Sequence, residues 1–243
     1  MDEPILRLDS IVLPMAHKCQ PMDLVVSRGE IWVITGATGS GKTTLFKVMS
    51  GLIQPLQGTV TLFGTNLNQA HVKHVTLLRR RMGVLLESDG LIPSWTVYEN
   101  LALPWRYYNL LPKQELEPFL HAQLLQYQED VSLLHKVVAT LTLEQRVRMA
   151  LIRALQKNPE LLLIDNDMLA LHLPRLLKFS WTRKLEEKSG AMVLRGVSSM
   201  TTFLPRESLR LAILQNGTLL ATGSLRELSE HPDPKVVMTI KEY

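Results

Sequence analysis

At 243 residues, 46% hydrophobic and 21% charged, the chain suits one large globular domain with a real core, or a core with a subdomain. No apolar run approaches the roughly 18 residues that a membrane-spanning helix needs. The start Met1-Asp2-Glu3-Pro4 lacks the basic and apolar parts of a signal peptide, so a cytosolic location is expected, with a membrane partner left open. Cys19 stands alone, which argues against a disulfide framework or a cysteine metal site. The net charge of +4 is scattered, and its one basic run, Arg79-Arg80-Arg81, has no aromatic platform beside it and reads as a solvated face rather than a nucleic-acid site.

In chain order, Ile5 to Leu13 and Met22 to Val26 read as strands, the second ending at the turn Ser27-Arg28-Gly29. Ile31-Trp32-Val33-Ile34-Thr35 is a third, apolar and β-rich. It leads into Gly36-Ala37-Thr38-Gly39-Ser40-Gly41-Lys42-Thr43-Thr44, after which Leu45 to Ser50 reads as helix and stops at Gly51. Strand, glycine-rich turn and helix form the context in which G-x-x-x-x-G-K-[ST] signals a polyphosphate cradle. Glycines let successive N–H groups point at phosphate oxygens, and the helix N-terminus adds partial positive charge. Lys42 is expected to reach the β- and γ-phosphates, and the Thr43 hydroxyl to hold Mg²⁺. The chain is therefore expected to bind a nucleoside triphosphate.

Further on, Thr59 to Phe63 reads as a strand ended by Gly64, and Leu77 to Met82 as a short basic helix or turn. Gly83 to Leu86 reads as a buried strand delivering Glu87 and Ser88. From Trp95 to Asn158, apolar spacing at Val97, Leu101, Leu116, Phe119, Leu120 and Leu124 predicts several helices. The clearest runs from Thr142 to Lys157 and stops at Asn158-Pro159. Leu161-Leu162-Leu163-Ile164 has the continuous apolar character of a central parallel strand, closed by Asp165. A helix around Leu176 to Lys188, a strand at Ala191 to Leu194, and a hairpin of Leu209 to Gln215 with Thr218 to Thr222 across Asn216-Gly217 complete the core. The tail, Leu225 to Tyr243, reads as helix broken by Pro232 and Pro234. The expected class is α/β: a P-loop NTPase (RecA-like) core with a mainly parallel sheet, an antiparallel β portion and a helical insertion. Residues 1–94 and 159–243 are expected to form the ATP-binding core, and 95–158 the helical subdomain.

Asp165 has the look of a Walker B aspartate, whose carboxylate orients a Mg²⁺ shell. Its spacing from Lys42, with a helical insert between, resembles the nucleotide-binding subunit of ABC transporters over essentially the whole chain. Arg81 to Ser88 and Trp95 to Pro104 resemble the lipid-transport and lipoprotein-release branch. The end, Gly223 to Leu228 with Pro232 to Val236, is similar to the ATPases of Mla-type (MCE) phospholipid transporters. That resemblance implies ATP and Mg²⁺ as ligands and an integral-membrane permease subunit as partner. It also implies a second ATP-binding subunit (the same chain or an intact paralogue) and a place on the cytoplasmic face of a bacterial inner membrane. No nucleic-acid partner is expected.

The chain departs from the family pattern where hydrolysis is carried out. Asn166 stands at the glutamate position that polarises the attacking water, followed by Asp167 and Met168 in place of proline and threonine. The switch histidine falls on about Ser198, the Q-loop glutamine on Glu87, and the D-loop reads Leu169-Ala170-Leu171-His172. The signature, usually Leu-Ser-Gly-Gly-Gln, reads Leu141-Thr142-Leu143-Glu144-Gln145. Thr142-x-x-Gln145 also reads as a plain capping box. Between Leu6 and Arg28 there is no aromatic residue to stack on adenine, His17 being the nearest planar substitute. Thr43, Asp165 and Glu87 are the expected metal ligands. Asparagine holds a water but cannot take its proton, and a positioned acid or base is worth about 10² to 10⁴ in rate. The expectation is a chain that binds ATP and hydrolyses it weakly or not at all. Two alternatives stay open: an active ATPase of the lipoprotein-release or cell-division type, with Glu87 or Asp167 recruited as base, and a regulatory ATP-binding protein outside transport. His71 and His74, at i and i+3, read as solvated helix residues. Trp95, Tyr98, Trp105, Tyr107 and Tyr108 read either as core of the insert or as a groove for a membrane subunit.

Overall fold

The computed structural model describes residues 3–15, 19–86, 89–165, 182–196 and 208–240. Strands β1 (Leu6–Val12), β2 (Met22–Val26), β4 (Gln57–Leu62) and β5 (Thr65–Asn66) make an antiparallel sheet. The second sheet holds β3 (Ile31–Thr35), β6 (Met82–Leu85), β7 (Leu161–Ile164), β8 (Ala191–Arg195), β9 (Leu209–Gln215) and β10 (Thr218–Gly223), in the order β10-β9-β3-β8-β7-β6. From β9 to β6 all neighbours are parallel, and only β10 runs antiparallel. This is an α/β P-loop core with a parallel sheet and an antiparallel portion, as the alternation of strands and helices predicts.

The burial patterns explain why the strands read so differently. Every residue of β3 and β7 is buried, because both faces of the parallel sheet are covered, whereas β2 alternates buried and exposed. One face carries Ile164, Leu194 and Val33 into a core shared with α3 (Val97–Tyr107), α4 (Lys113–Gln126) and α5 (Leu143–Leu155). The other carries Leu163, Val193 and Ile34 against α1 (Lys42–Met49) and the antiparallel sheet. The helical block comes very close to the parallel sheet at Gly83, where a Cβ would stand 2.5 Å from the Ala154 carbonyl oxygen. Only glycine allows that approach of β6 to α5.

The helix expected at Leu77 to Met82 lies earlier, as α2 (Val72–Arg79), and Met82 opens β6 instead. Its start was hidden because the cap is His71, whose ring nitrogen accepts from the Lys73 N–H at 3.3 Å, outside the usual Ser, Thr, Asp and Asn set. Strand β5 was also unforeseen, being two residues folded back on β4 across Phe63-Gly64. The Asn216-Gly217 turn forms as read, with φ of 48° and 74° at its two residues. Of the helix expected around Leu176 to Lys188, the described residues contain α6 (Thr182–Glu186). The tail contributes α7 (Leu225–Ser229) and α8 (Pro234–Ile240), split at Pro232 to Pro234 as expected.

Candidate functional site

The carboxyl end of β3 feeds the glycine-rich loop straight into α1. Gly41 caps that helix in a left-handed conformation (φ 102°), and the first turn carries no acidic side chain. The Lys42 ammonium lies back over the loop, donating to the carbonyls of Gly36 at 2.6 Å and Ala37 at 2.9 Å. Ser40 is braced from behind, its carbonyl accepting from the Gly217 N–H at 2.8 Å, so the β9–β10 turn supports the loop. A Cβ at Gly36 would fall 2.1 Å from the Leu214 carbonyl oxygen, so β9 packs too closely for any other residue. The loop is thus pre-shaped, with amides, a helix N-terminus and a fixed ammonium converging at one end of the sheet, a construction that favours anions.

Two strands over, β7 ends at Asp165, which is fully buried. Its Oδ1 accepts from Arg195 Nη1 at 3.3 Å, and the Arg195 side chain is itself only 13% exposed. Ile164 pairs with Leu194 and Ile34 with Arg195, so carboxylate, guanidinium and the strand leading into the loop lie side by side.

The start of α5 is the expected signature. Thr142 Oγ1 accepts from the Gln145 N–H at 3.2 Å, and Gln145 Oε1 accepts from the Thr142 N–H at 3.0 Å: a complete capping box. Leu143 is half exposed, and Glu144 is drawn along the helix to Arg148 at 2.6 Å, which also meets Glu129 at 3.0 Å. Farther along, α5 grips the chain just beyond Glu87 and Ser88. Arg146 pairs with Asp89 at 3.3 Å, and Arg153 donates to the Gly90 carbonyl at 2.9 Å and the Asp89 carbonyl at 3.2 Å.

Residues 19–168, more than half of the chain, match the protein family described as ABC transporter. The chain belongs to the ABC transporter family. It is 32% identical over 222 residues to the probable sulfate/thiosulfate import ATP-binding protein CysA of Chlorella vulgaris, covering 87% of this chain and 86% of that one. It is 30% identical over 219 residues to the methionine import ATP-binding protein MetN 1 of Bacillus cereus, covering 86% of this chain. It spans only 60% of that relative's length. Among solved structures, a dimeric ATP-binding cassette in a post-hydrolysis state with ADP and Pi superposes with a TM-score of 0.76 at 22% identity, covering 91% of this chain and 99% of that one. The fold is accordingly that of an ABC cassette, and family membership makes the chain the ATP-binding subunit of a transporter.

Within this cassette the structure places the loop from Gly36 to Thr44 and Asp165 at the same end of the parallel sheet, two strands apart, and adds a residue that sequence reasoning passed over, Arg195. The signal was present: two runs of four apolar residues each end in a charge of opposite sign, and parallel pairing sets the two charges level. Asp89, Arg146 and Arg153 were also missed, since they act through the main chain next to Glu87 rather than through a motif. Glu87, Asn166, Asp167, Met168, the Leu169 to His172 stretch, Ser198 and His17 lie outside the described residues. Family membership implies ATP, generally with Mg²⁺. Thr43 brings a hydroxyl of the kind that suits that ion, but among the described residues the Asp165 carboxylate meets a fixed guanidinium through Oδ1. Mg²⁺ demands oxygen ligands in near-octahedral order, and a fixed cation beside it adds repulsion.

The aromatic residues of the helical block differ in burial. Trp105 packs edge-on against Phe119 with centroids 4.5 Å apart, and both it and Tyr98 lean on the core. Tyr107 is 68% exposed, and Tyr108 lies between Arg80 and Lys157, whose cations stand 5.4 Å and 4.8 Å from its ring. Partial burial, with Arg80 beside it, pulls the Lys157 ammonium down to about 8.

Proposed function

We propose that this cassette is an ATP-binding subunit whose grip on nucleotide outlasts its capacity to hydrolyse it. The observation that carries the reading is the phosphate loop, held in shape by Lys42 on two of its own carbonyls and by the β9–β10 turn. In this reading the residues from Gly36 to Thr44 wrap the triphosphate and Lys42 meets its outer phosphates. Asparagine and serine at positions 166 and 198 leave no proton acceptor for the attacking water. Two losses in one mechanism do not multiply, so residual turnover rests on positioning alone. The start of α5 supports the same reading from the partner's side. Leu143 and Glu144 stand where a pair of glycines would admit close backbone approach, and the Glu144 carboxylate disfavours a phosphate docking there.

The cassette acts with an integral-membrane permease subunit and a second ATP-binding subunit, on the cytoplasmic face of a bacterial inner membrane. No helix among the described residues is long and apolar enough to cross a membrane. As cargo we propose phospholipid, in a transporter of the Mla type. The support is the sequence stretches Arg81 to Ser88, Trp95 to Pro104 and Gly223 to Val236, while the relatives named above are import ATPases for sulfate/thiosulfate and methionine. Equilibrium ATP binding and steady-state turnover of the purified chain, alone and with the membrane subunit that co-purifies, test the proposal. The expected result is saturable binding lost in Lys42→Ala, with turnover at least about 10²-fold below an intact cassette. Brisk hydrolysis abolished by Glu87→Ala or Asp167→Ala would instead favour an active ATPase with a recruited base. A co-purifying permease of the amino-acid or sulfate type would overturn the lipid assignment.

A further inference from the structure

Asp165 and Arg195 hold equivalent places at the carboxyl ends of β7 and β8, each one residue past a register pair, Ile164 with Leu194. By strand alternation they share a face with Leu163 and Val193, which is the face α1 packs upon. Arg195 is also level with Ile34, and the Gly196 N–H donates to the Ile34 carbonyl at 2.8 Å, two residues before the loop begins. A guanidinium is therefore built into the sheet between the aspartate strand and the strand that carries the phosphate loop. It is well buried, the carboxylate it holds is wholly so, and the contact is charge-assisted.

We propose that Arg195 supplies in this cassette the positive charge that a divalent cation brings to such a site, so that ATP binds with an affinity nearly independent of Mg²⁺. The inference rests on the reading of the chain as an ATP-binding subunit and adds a statement about its cofactor. A carboxylate that would otherwise orient the hydration shell of an ion accepts instead, through Oδ1, from a guanidinium. Removing the ion from such a site does not leave a buried negative charge, because the compensating charge is part of the fold. The triphosphate keeps the loop amides, the N-terminus of α1 and Lys42, with a guanidinium on the strand next to the one that feeds the loop, and its planar donors suit phosphate oxygens.

Titration calorimetry of the full chain with ATP, in excess EDTA and in Mg²⁺, decides the matter. The expected result is a Kd that agrees within about threefold between the two conditions, while Arg195→Gln loses more than about tenfold in EDTA and recovers in Mg²⁺. A native chain whose affinity falls more than about tenfold in EDTA overturns the proposal, and needs no variant to do so. Arg195→Lys, which keeps the charge, is expected to stay metal-independent; metal dependence there would also count against it. Absence of binding in both conditions, with the chain folded by circular dichroism, would bring down the ATP-binding reading itself, an outcome distinct from binding only with Mg²⁺.

Discussion

Strand β7 carries a carboxylate–guanidinium pair at each end, and the two could hardly differ more in consequence. At the amino end, Glu160 is clamped by Arg81 through two bonds, 2.5 Å and 2.9 Å, and by Arg28 at 2.7 Å. The Arg28 guanidinium also reaches the Ser189 carbonyl, so one carboxylate ties together the leads into β3, β6, β7 and β8. At the carboxyl end, Asp165 meets Arg195 with one longer contact, in full burial, at the end of the sheet where β3 feeds the phosphate loop. Glu160 sits 28% exposed, where water shares the work of solvation. The chemistry is the same, and place decides its meaning: the first pair aligns strand starts, and in the proposal above the second sets the charge of the nucleotide site.

The largest expected effect follows from breaking the buried pair. Arg195→Ala strands a fully desolvated carboxylate, which should destabilise the fold by about 3–5 kcal/mol. Adding Asp165→Asn should recover most of that loss, because it removes the charge rather than its partner. Urea unfolding of the single and double variants measures both. If the single variant loses under about 1 kcal/mol, the pair is acting as a surface bridge and the contrast between the two ends disappears.

The other end should report through acid. Hydrogen bonds from Arg81, seconded by Arg28, hold the Glu160 carboxyl at about 2 against an ordinary 4.5, burial opposing them only in part. Because the folded value is the lower one, the stabilisation is present in full above pH 4.5 and drains away as pH falls toward 2. Allowing for screening at a partly open site, it amounts to about 1–2 kcal/mol. Glu160→Gln should lose that amount at neutral pH and show a flatter stability profile across the acid window. A variant profile parallel to the native one between pH 4.5 and 2 would show that other carboxylates govern acid unfolding.

Much of this was legible in the sequence, and what escaped has a common physical cause. The phosphate loop announced itself because glycine positions and flanking periodicity are local. The start of α5, the Asn216-Gly217 turn and the apolar run of β7 are local in the same sense. Arg195, Glu160 and Asp89 were opaque because their meaning depends on partners 30, 79 and 57 residues away, which only strand order and register bring near: Asp165, Arg81 and Arg146. The register of β7 against β8 turns two unremarkable strand-end charges into one feature, and a single chain read linearly does not contain that pairing. The cap of α2 failed for a smaller reason, an imidazole serving where a hydroxyl or carboxylate is the rule.

The smallest expected effect lies at the start of α5, which stands between the two ends in character: a site by family position and a helix cap by geometry. Thr142→Ala removes one partner of a reciprocal box and should cost about 1 kcal/mol, with Thr142→Ser nearly neutral. If the start of α5 acts only as a cap, ATP affinity of the purified chain should be unmoved in both variants. A Thr142→Ala chain of native stability that binds ATP more weakly would invert that conclusion. The Thr142 hydroxyl would then belong with Lys42 among the nucleotide contacts, and the line between the structural and the ligand-bearing parts of this cassette would have to be drawn farther along α5.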